Sequence, residues 1–512
     1  MSRKFVIIFC FVLLLLNSCN ALPEKQQEPV TFSILYNDIE TAPFHENWRI
    51  LEEYRSRKNV TLDVLLGTDA DYNRDLTQTL ESGNIPDIVL KTYPNEIESY
   101  ASDGLLLPFS DYEDQMPYFT SYIEEHGLQN ELEKLRLDNG KYYILPGYQR
   151  KIQVQQWIYR KDLFEKHDLP VPTTYDEMFD ALVHLKEMYP DSTPITASWG
   201  GAHLFAMMGA GYDIPAGWSG TMDYSQQENR WQYAPATENF REMYAFLNRC
   251  YEAGILDPEI FTQSTEDHIN KLTDGRAFVT VTWITSGFDN WNTTLRENGH
   301  PDGTWTPLSV PESTIGIRAL PAVDPFRKGL VVPASIVNEP YLENLLSFLD
   351  WAVYSEEGMT LTTWGIEDLT YENTENGKVY LPEITSPKNP EGTVDIRAEY
   401  GFDLMFNLNE NEEFEDYKKP PEIVAFLEQS LLANETLEMQ PKLNLDDNSL
   451  DAVQLINEKL DPYIGTAGTA FITGELDIET EWNTYLQELD KRGYTTLEKI
   501  WNDAWEKQTQ EK

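Results

Sequence analysis

Between Val30 and Leu90 strand-type and helix-type segments alternate, and this alternation restricts the fold more than any other feature of the chain. Val30-Thr31-Phe32-Ser33-Ile34-Leu35-Tyr36 is β-branched and aromatic with alternating polarity, so it is predicted as a strand. Trp48 to Arg57 carries helical spacing, Val60 to Leu66 is a second strand and Asp71 to Ser82 a second helix. After the turn Gly83-Asn84-Ile85-Pro86 comes a buried-type strand, Asp87-Ile88-Val89-Leu90. Strands joined through helices run parallel and are covered on both faces, so an α/β fold around a parallel sheet is implied.

Further along, a helix around Glu96 to Asp103 ends at Gly104, and Lys141 to Pro146 leads into a strand at Gln153 to Tyr159. The chain is expected to cross from one folded unit to another near Pro146 to Arg150. Helices are predicted at Thr174 to Tyr189 and Thr237 to Ala253, the second closed by Gly254. Ala277 to Trp283 reads as a strand, Tyr341 to Ser355 as a helix, Tyr371 to Leu381 as a hairpin and Glu479 to Gln508 as the last helices. With 512 residues, 41% of them hydrophobic, the chain can bury more than one core.

At the start, Arg3 and Lys4 precede the apolar run Phe5 to Leu16, which is too short for a membrane span and reads as a signal peptide. Leu16-Asn17-Ser18-Cys19 resembles a bacterial lipobox, so Cys19 is the expected site of lipidation and residues 20–29 a polar tether. Once Cys10 is removed and Cys19 acylated, Cys250 has no partner and is expected as a buried free thiol. A formal charge of −47 repels phosphate backbones and anionic headgroups, which argues against nucleic-acid binding.

Four stretches carry a family resemblance. Gly83-Asn84-Ile85-Pro86-Asp87-Ile88-Val89, with Ser99-Tyr100-Ala101-Ser102-Asp103-Gly104-Leu105-Leu106, is similar to a "G-x-x-PDI" strand followed by a "YA-x-x-G-x-L" helix end. The most specific is Tyr159-Arg160-Lys161-Asp162-Leu163-Phe164-Glu165-Lys166, continued by Pro172-Thr173-Thr174-Tyr175-Asp176-Glu177. Leu272-Thr273-Asp274-Gly275-Arg276-Ala277-Phe278 and Phe471-Ile472-Thr473-Gly474 with Glu481-Trp482 complete the set. Together they resemble the extracellular solute-binding proteins of carbohydrate ABC importers, the maltose-binding-protein-like family, in its long lipoprotein branch.

That resemblance implies a two-lobed periplasmic-binding-protein-like (type II) fold, each lobe a mainly parallel sheet flanked by helices, with the ligand between them. Residues 30–148 and 277–325 are assigned to the N-terminal lobe, and 149–276 and 326–512 to the C-terminal lobe with a helical extension. It also implies an oligosaccharide ligand, ABC permease subunits as partners, attachment to the outer face of the membrane through the lipid, and a monomer without cofactor or enzymatic activity. Relatives with a calcium loop carry an Asp/Asn/Gly-rich insertion where Tyr189-Pro190-Asp191-Ser192-Thr193-Pro194 runs straight on, so no metal site is expected there.

A sugar cleft needs flat apolar faces for ring C–H groups and planar polar groups for hydroxyls. Trp283 ends a strand before polar Thr285 and Ser286, and Trp199 precedes a Gly pair; both are candidate stacking residues, with Trp364 beside them. Trp157 and Trp351 are expected in the core. Tyr36-Asn37-Asp38 follows the first strand and Tyr93-Pro94-Asn95 the third, both at the carboxyl edge of a parallel sheet, where such folds bind ligands. Gln149 and Arg150 sit at the crossing. Turn-forming or capping roles explain Asn37 and Asn95 equally well. Asp69 to Asp75 mimics a calcium loop but has Arg74 in place of the Gly and Leu80 in place of the Glu, so a helix N-cap cluster is the expectation. The competing functions are a secreted glycan-cleaving enzyme, since 86 acidic residues could hide a catalytic carboxylate pair, and a sugar receptor feeding a sensor.

Overall fold

Strand β1 (Val30–Asp38) pairs in parallel with β2 (Val60–Thr68) along its whole length and with β3 (Ile88–Thr92) on its other side. In this computed structural model residues 28–510 are described, apart from 69–71, 216–221, 286–287, 327, 387 and 434. The signal peptide, Cys19, the tether up to residue 27 and Ser286 therefore lie outside the described residues. The side chains of β1 alternate between two cores: Phe32, Ile34 and Tyr36 join one with Ile88 and Leu90, while Leu35 joins the other with Val89. This two-sided burial is what parallel strands flanked by helices require.

The remaining strands are β4 (Leu145–Gly147), β5 (Gln155–Arg160), β6 (Met222–Ser225), β7 (Arg230–Tyr233), β8 (Val279–Trp283), β9 (Trp305–Leu308), β10 (Lys328–Val331), β11 (Tyr371–Thr374) and β12 (Gly377–Tyr380). The first sheet has the order β2-β1-β3-β10-β4, with β10 antiparallel to both neighbours. The second has the order β8-β5-β9, and β5 is antiparallel to both.

Two expectations are corrected here. The second lobe is not a mainly parallel sheet, because its strands meet β5 antiparallel; β8 is joined in parallel only through single-residue contact with Ile195. The lobe boundaries also differ. Residues 277–325 belong with the second lobe: Val279, Val281, Leu308 and Leu320 share a core with Trp157 and Tyr159. Residues from Phe326 return to the first, where Leu330, Phe348 and Trp351 pack with Phe32 and Ile34 as far as Leu408. The alternation in Val279–Trp283 fits either sheet, and only tertiary pairing selects one.

Phe414 and Tyr417 still pack on Trp364 of the first lobe, and after Lys418 the chain crosses again. Ile423 and Leu427, on a helix at Pro421–Leu432, pack with Ile158 and Trp305 of the second lobe. The helices Asp447–Thr473, Ile478–Arg492 and Tyr494–Gln510 complete that lobe's core. Trp157 and Trp351 are buried, as is Cys250, a free thiol whose pKa burial pushes up.

The connections between lobes are tied to one another. Gln149 donates its backbone N–H to Pro325 O at 3.0 Å and its side-chain amide to Asp324 O at 2.7 Å. Buried Asn409 accepts from Tyr148 N at 2.8 Å and donates to Val353 O at 2.6 Å. Glu410 N donates to Tyr148 O at 2.7 Å.

Candidate ligand-binding site

The carboxyl ends of β1 and β3 open into a cleft of about 560 Å³ in the first lobe. Tyr36, Asn37, Tyr93 and Gln149 line it, so four of the residues predicted at the sheet edge and the crossing come together. Ligands collect at this edge because successive strands deliver their loops there. Tyr36 is anchored edge-on against Trp48, with ring centroids 6.3 Å apart, and burial pushes its hydroxyl pKa well up, so it serves as a neutral hydrogen-bonding group.

The opposite wall was missed by sequence reasoning. It comes from residues 397–418, which have no clear periodicity: Arg397, Asp403, Leu404, Phe406, Asn407, Glu415 and Lys418, with Lys328 from β10 and Lys91 from β3. Asn407 Nδ2 donates to Asp403 Oδ1 at 2.7 Å. Lys418 Nζ lies 3.4 Å from Asp403 Oδ2 and 2.8 Å from Glu415 Oε1. Burial raises the Asp403 carboxyl above its ordinary range, against the pull of Lys418. Glu415 is held below its ordinary range, because Lys418 and Lys419 outweigh its burial.

On the second lobe, Trp199, His203 and Trp283 form an aromatic platform. Their centroids lie 5.4 Å apart for Trp199–Trp283, 4.7 Å for Trp199–His203 and 4.6 Å for His203–Trp283. Trp199 is 56% exposed, and its indole donates to Thr265 Oγ1 at 3.1 Å, which fixes the ring in the open. The loop beneath is braced from behind. Gln263 Nε2 donates to Ala197 O at 2.7 Å, and Asp257, Thr196 and Lys271 form a buried polar network with Gln263. Trp283 sits opposite Gln155 in the β5–β8 register, and Gln155 Nε2 lies 2.9 Å from His203 Nδ1. Gln155 follows the cleft-lining Gln149 by six residues, so the Cα of this neighbour of the platform stands within about 20 Å of that of Gln149, the reach of the chain when extended.

Backbone strain concentrates on these two faces. Among the described residues, nine non-glycines have φ above zero; six are Asn or Asp, which tolerate it, and the others are Lys91 (φ 52°), Trp199 (φ 52°) and Phe406 (φ 57°). All three line the cleft or the platform. Such conformations persist where the surrounding fold enforces them, and they cluster at binding sites.

Other predicted residues fall elsewhere. Trp364 is corrected to a core residue: it is fully buried at the end of the helix Glu356–Thr363, boxed by Tyr371, Tyr380, Phe414 and Tyr417. Arg150 does not line the cleft, and its guanidinium is engaged by Glu410, Glu412 and Asp416. Asn95 lies exposed in the first turn of the helix Pro94–Ser102, beside a different hollow. Asp38 Oδ1 accepts from Phe44 N at 2.8 Å, a turn role. Thr285 is half-buried in the turn after β8. In the acidic run 69–75, residues 69–71 lie outside the described residues, and Asp75 pairs with Arg74.

Residues 49–349, well over half of the chain, match the family described as bacterial extracellular solute-binding protein. A fructooligosaccharide ABC transporter substrate-binding protein, FusA of Streptococcus pneumoniae serotype 4, is 21% identical over 536 residues, covering 94% of this chain and 91% of the relative. The crystal structure of the alginate-binding protein AlgQ2 without calcium ion has a TM-score of 0.72 at 20% identity, covering 94% of this chain and 98% of that one. An extracellular solute-binding protein from Bifidobacterium longum subsp. infantis gives 0.71 at 14% identity, covering 94% and 99%. With its two-lobed α/β architecture and a cleft at the sheet edge of the first lobe, this chain belongs to the bacterial extracellular solute-binding proteins.

Proposed function

We propose that this protein captures an oligosaccharide between its lobes and delivers it to the permease of an ABC importer, acting as a monomer held at the outer face of the membrane by lipid on Cys19. The observation that carries this reading is the pairing of chemistries across the junction. One lobe offers an exposed aromatic platform, Trp199 and Trp283, suited to the apolar face of a sugar ring. The other offers amide, carboxylate and cationic groups, Asn37, Gln149, Asn407 and Asp403 among them, suited to ring hydroxyls. The names of relatives point the same way, as a fructooligosaccharide transporter component and an alginate-binding protein. The family consists of binding proteins, and non-catalytic capture is the role proposed for this member.

The test is thermal unfolding of the mature protein across a panel of neutral and acidic oligosaccharides, with chromatography of each sugar after incubation. A ligand at 100 times its dissociation constant stabilises the folded state by about 2.7 kcal/mol. The expected result is such a shift with the sugar recovered intact. Recovery of shortened products would replace capture with glycan cleavage.

A further inference from the structure

The chain carries a formal charge of −47, yet the first-lobe cleft is lined by Lys91, Lys328, Arg397 and Lys418 against the carboxylates of Asp403 and Glu415. A local excess of cations inside so acidic a protein is a specific feature, since an average stretch of its surface would have the opposite sign. The two carboxylates are already engaged by Lys418. Of the other cations, Lys328 makes no hydrogen bond or salt bridge with any described residue, although protein packs closely round its solvent-reached side chain. Arg397 has one side-chain hydrogen bond among the described residues, a long one of 3.5 Å to Thr41 Oγ1. Asp38, the next carboxylate along β1, is occupied by the Phe44 N–H.

We infer that this cleft takes an acidic saccharide, seating a carboxylate or sulfate of the sugar against Lys328 and Arg397; the inference rests on the saccharide reading above. Burial, Lys418 and Lys91 all disfavour the charged form of Lys328, and Asp403 and Glu415 do not restore its ordinary value. Like charges confined in a partly desolvated hollow repel one another, and an anion bound among them removes that repulsion. Lys328 and Arg397 both line the cleft, where Arg397 can offer two parallel N–H donors to a planar carboxylate and Lys328 a point charge. Asp403, Asn407 and Asn37 remain positioned for neighbouring hydroxyls. The wall residues Lys91 and Phe406 hold left-handed backbone conformations, as expected where the fold positions a surface for a ligand.

The experiment is calorimetric titration of the full mature protein with three probes. They are uronate oligomers released from polygalacturonate and alginate, the same oligomers after carboxyl reduction, and sulfated oligosaccharides of equal length. Wild type should bind at least one acidic probe ten or more times tighter than its neutral counterpart. Lys328→Gln should lower the acidic affinity much more than the neutral affinity, removing most of that preference, and Lys328→Arg should retain it. The Lys328 side chain reaches solvent and its removal relieves repulsion in the cleft, so an unchanged or raised melting temperature is expected and confirms folding of each variant. Preference for the uronate or the sulfated probe identifies which anion the site takes. Neutral oligomers binding as tightly as acidic ones, or a preference that survives Lys328→Gln, would overturn this inference and leave oligosaccharide capture standing. Binding of none of the probes would also overturn this inference, and oligosaccharide capture would then be decided by the wider panel above.

Discussion

Arg150 grips both oxygens of the Glu410 carboxylate: its Nε donates to Oε1 and its backbone N–H to Oε2, each at 2.7 Å. Its NH2 group reaches Asp416 Oδ1 at the same distance, so one side chain links the first crossing segment to the last. Arg150→Met should therefore cost about 1 to 3 kcal/mol of stability, the range for charge-assisted hydrogen bonds in a half-buried setting, with sugar affinity changed far less. Denaturant unfolding and calorimetry on the same variant check this. Lost affinity at undiminished stability would return Arg150 to the ligand.

Trp283 is half-buried against His203 and Trp199, whose own ring is mostly exposed. Trp283→Ala should weaken sugar binding tenfold or more, since an aromatic contact of this size contributes about 1 to 3 kcal/mol. Trp199→Ala should do likewise with less loss of stability, because its ring is mostly exposed. Trp364→Ala, by contrast, should cost about 3 to 5 kcal/mol of stability through a core cavity and leave affinity to the extent that the protein still folds. Titrations on folded fractions separate the three.

How far the sequence reached depended on how local each signal is. Strands β1 to β3 were legible because period-2 burial and intervening helices state their pairing directly. Trp283 and Trp364 were both candidate stacking residues, and the structure separates them because Tyr371, Tyr380, Phe414 and Tyr417 close over Trp364. Arg397, Asp403 and Asn407 reach the cleft through an irregular segment after the β11–β12 hairpin, where no periodicity marks a wall. The helix Asp447–Thr473 escaped notice because Pro462, Gly465 and Gly468 interrupt its pattern.

His268 titrates against the fold. Burial lowers its imidazole from 6.5 to about 4, with Asp257 opposing and Lys271 adding to the effect, and its Nε2 lies 3.2 Å from Thr280 Oγ1. Above pH 6.5 the ring is neutral in both states and costs nothing. As pH falls from about 6.5 towards 4 the unfolded chain takes up a proton that the folded one refuses, so about 3 kcal/mol of stability is lost. Buried Asp350, raised to about 6, acts in the opposite sense over part of that window. Comparing wild type with His268→Gln at each pH cancels the Asp350 contribution. The stability difference should shift by about 3 kcal/mol in favour of the variant between pH 7 and pH 4, read by urea unfolding.

Acylation of Cys19 would place the anchor eleven residues ahead of Val30, where β1 starts. Cys19→Ala should release the protein from membranes with its sugar affinity intact. Mass spectrometry of the wild-type N-terminus checks the premise, and an unmodified terminus elsewhere would end it.

Ligand should draw the two lobes together. The cleft wall and the aromatic platform belong to different cores, and no residue of the platform lines the first-lobe cleft. A sugar touching both should therefore bring them closer, with the motion absorbed where the chain crosses, near 148–150, near 324–326 and after Lys418; backbone and side-chain hydrogen bonds tie the first two to one another and to 409–410. An importer distinguishes loaded from empty protein only if the ligand favours the closed form over the open one, since equal affinity shifts no population. Small-angle scattering should show a smaller radius of gyration with sugar bound, and Trp283→Ala should reduce the sugar's ability to close the lobes by removing a second-lobe contact. If a tightly bound sugar left the radius unchanged, ligand would be held by the first lobe alone and the aromatic platform would need another role.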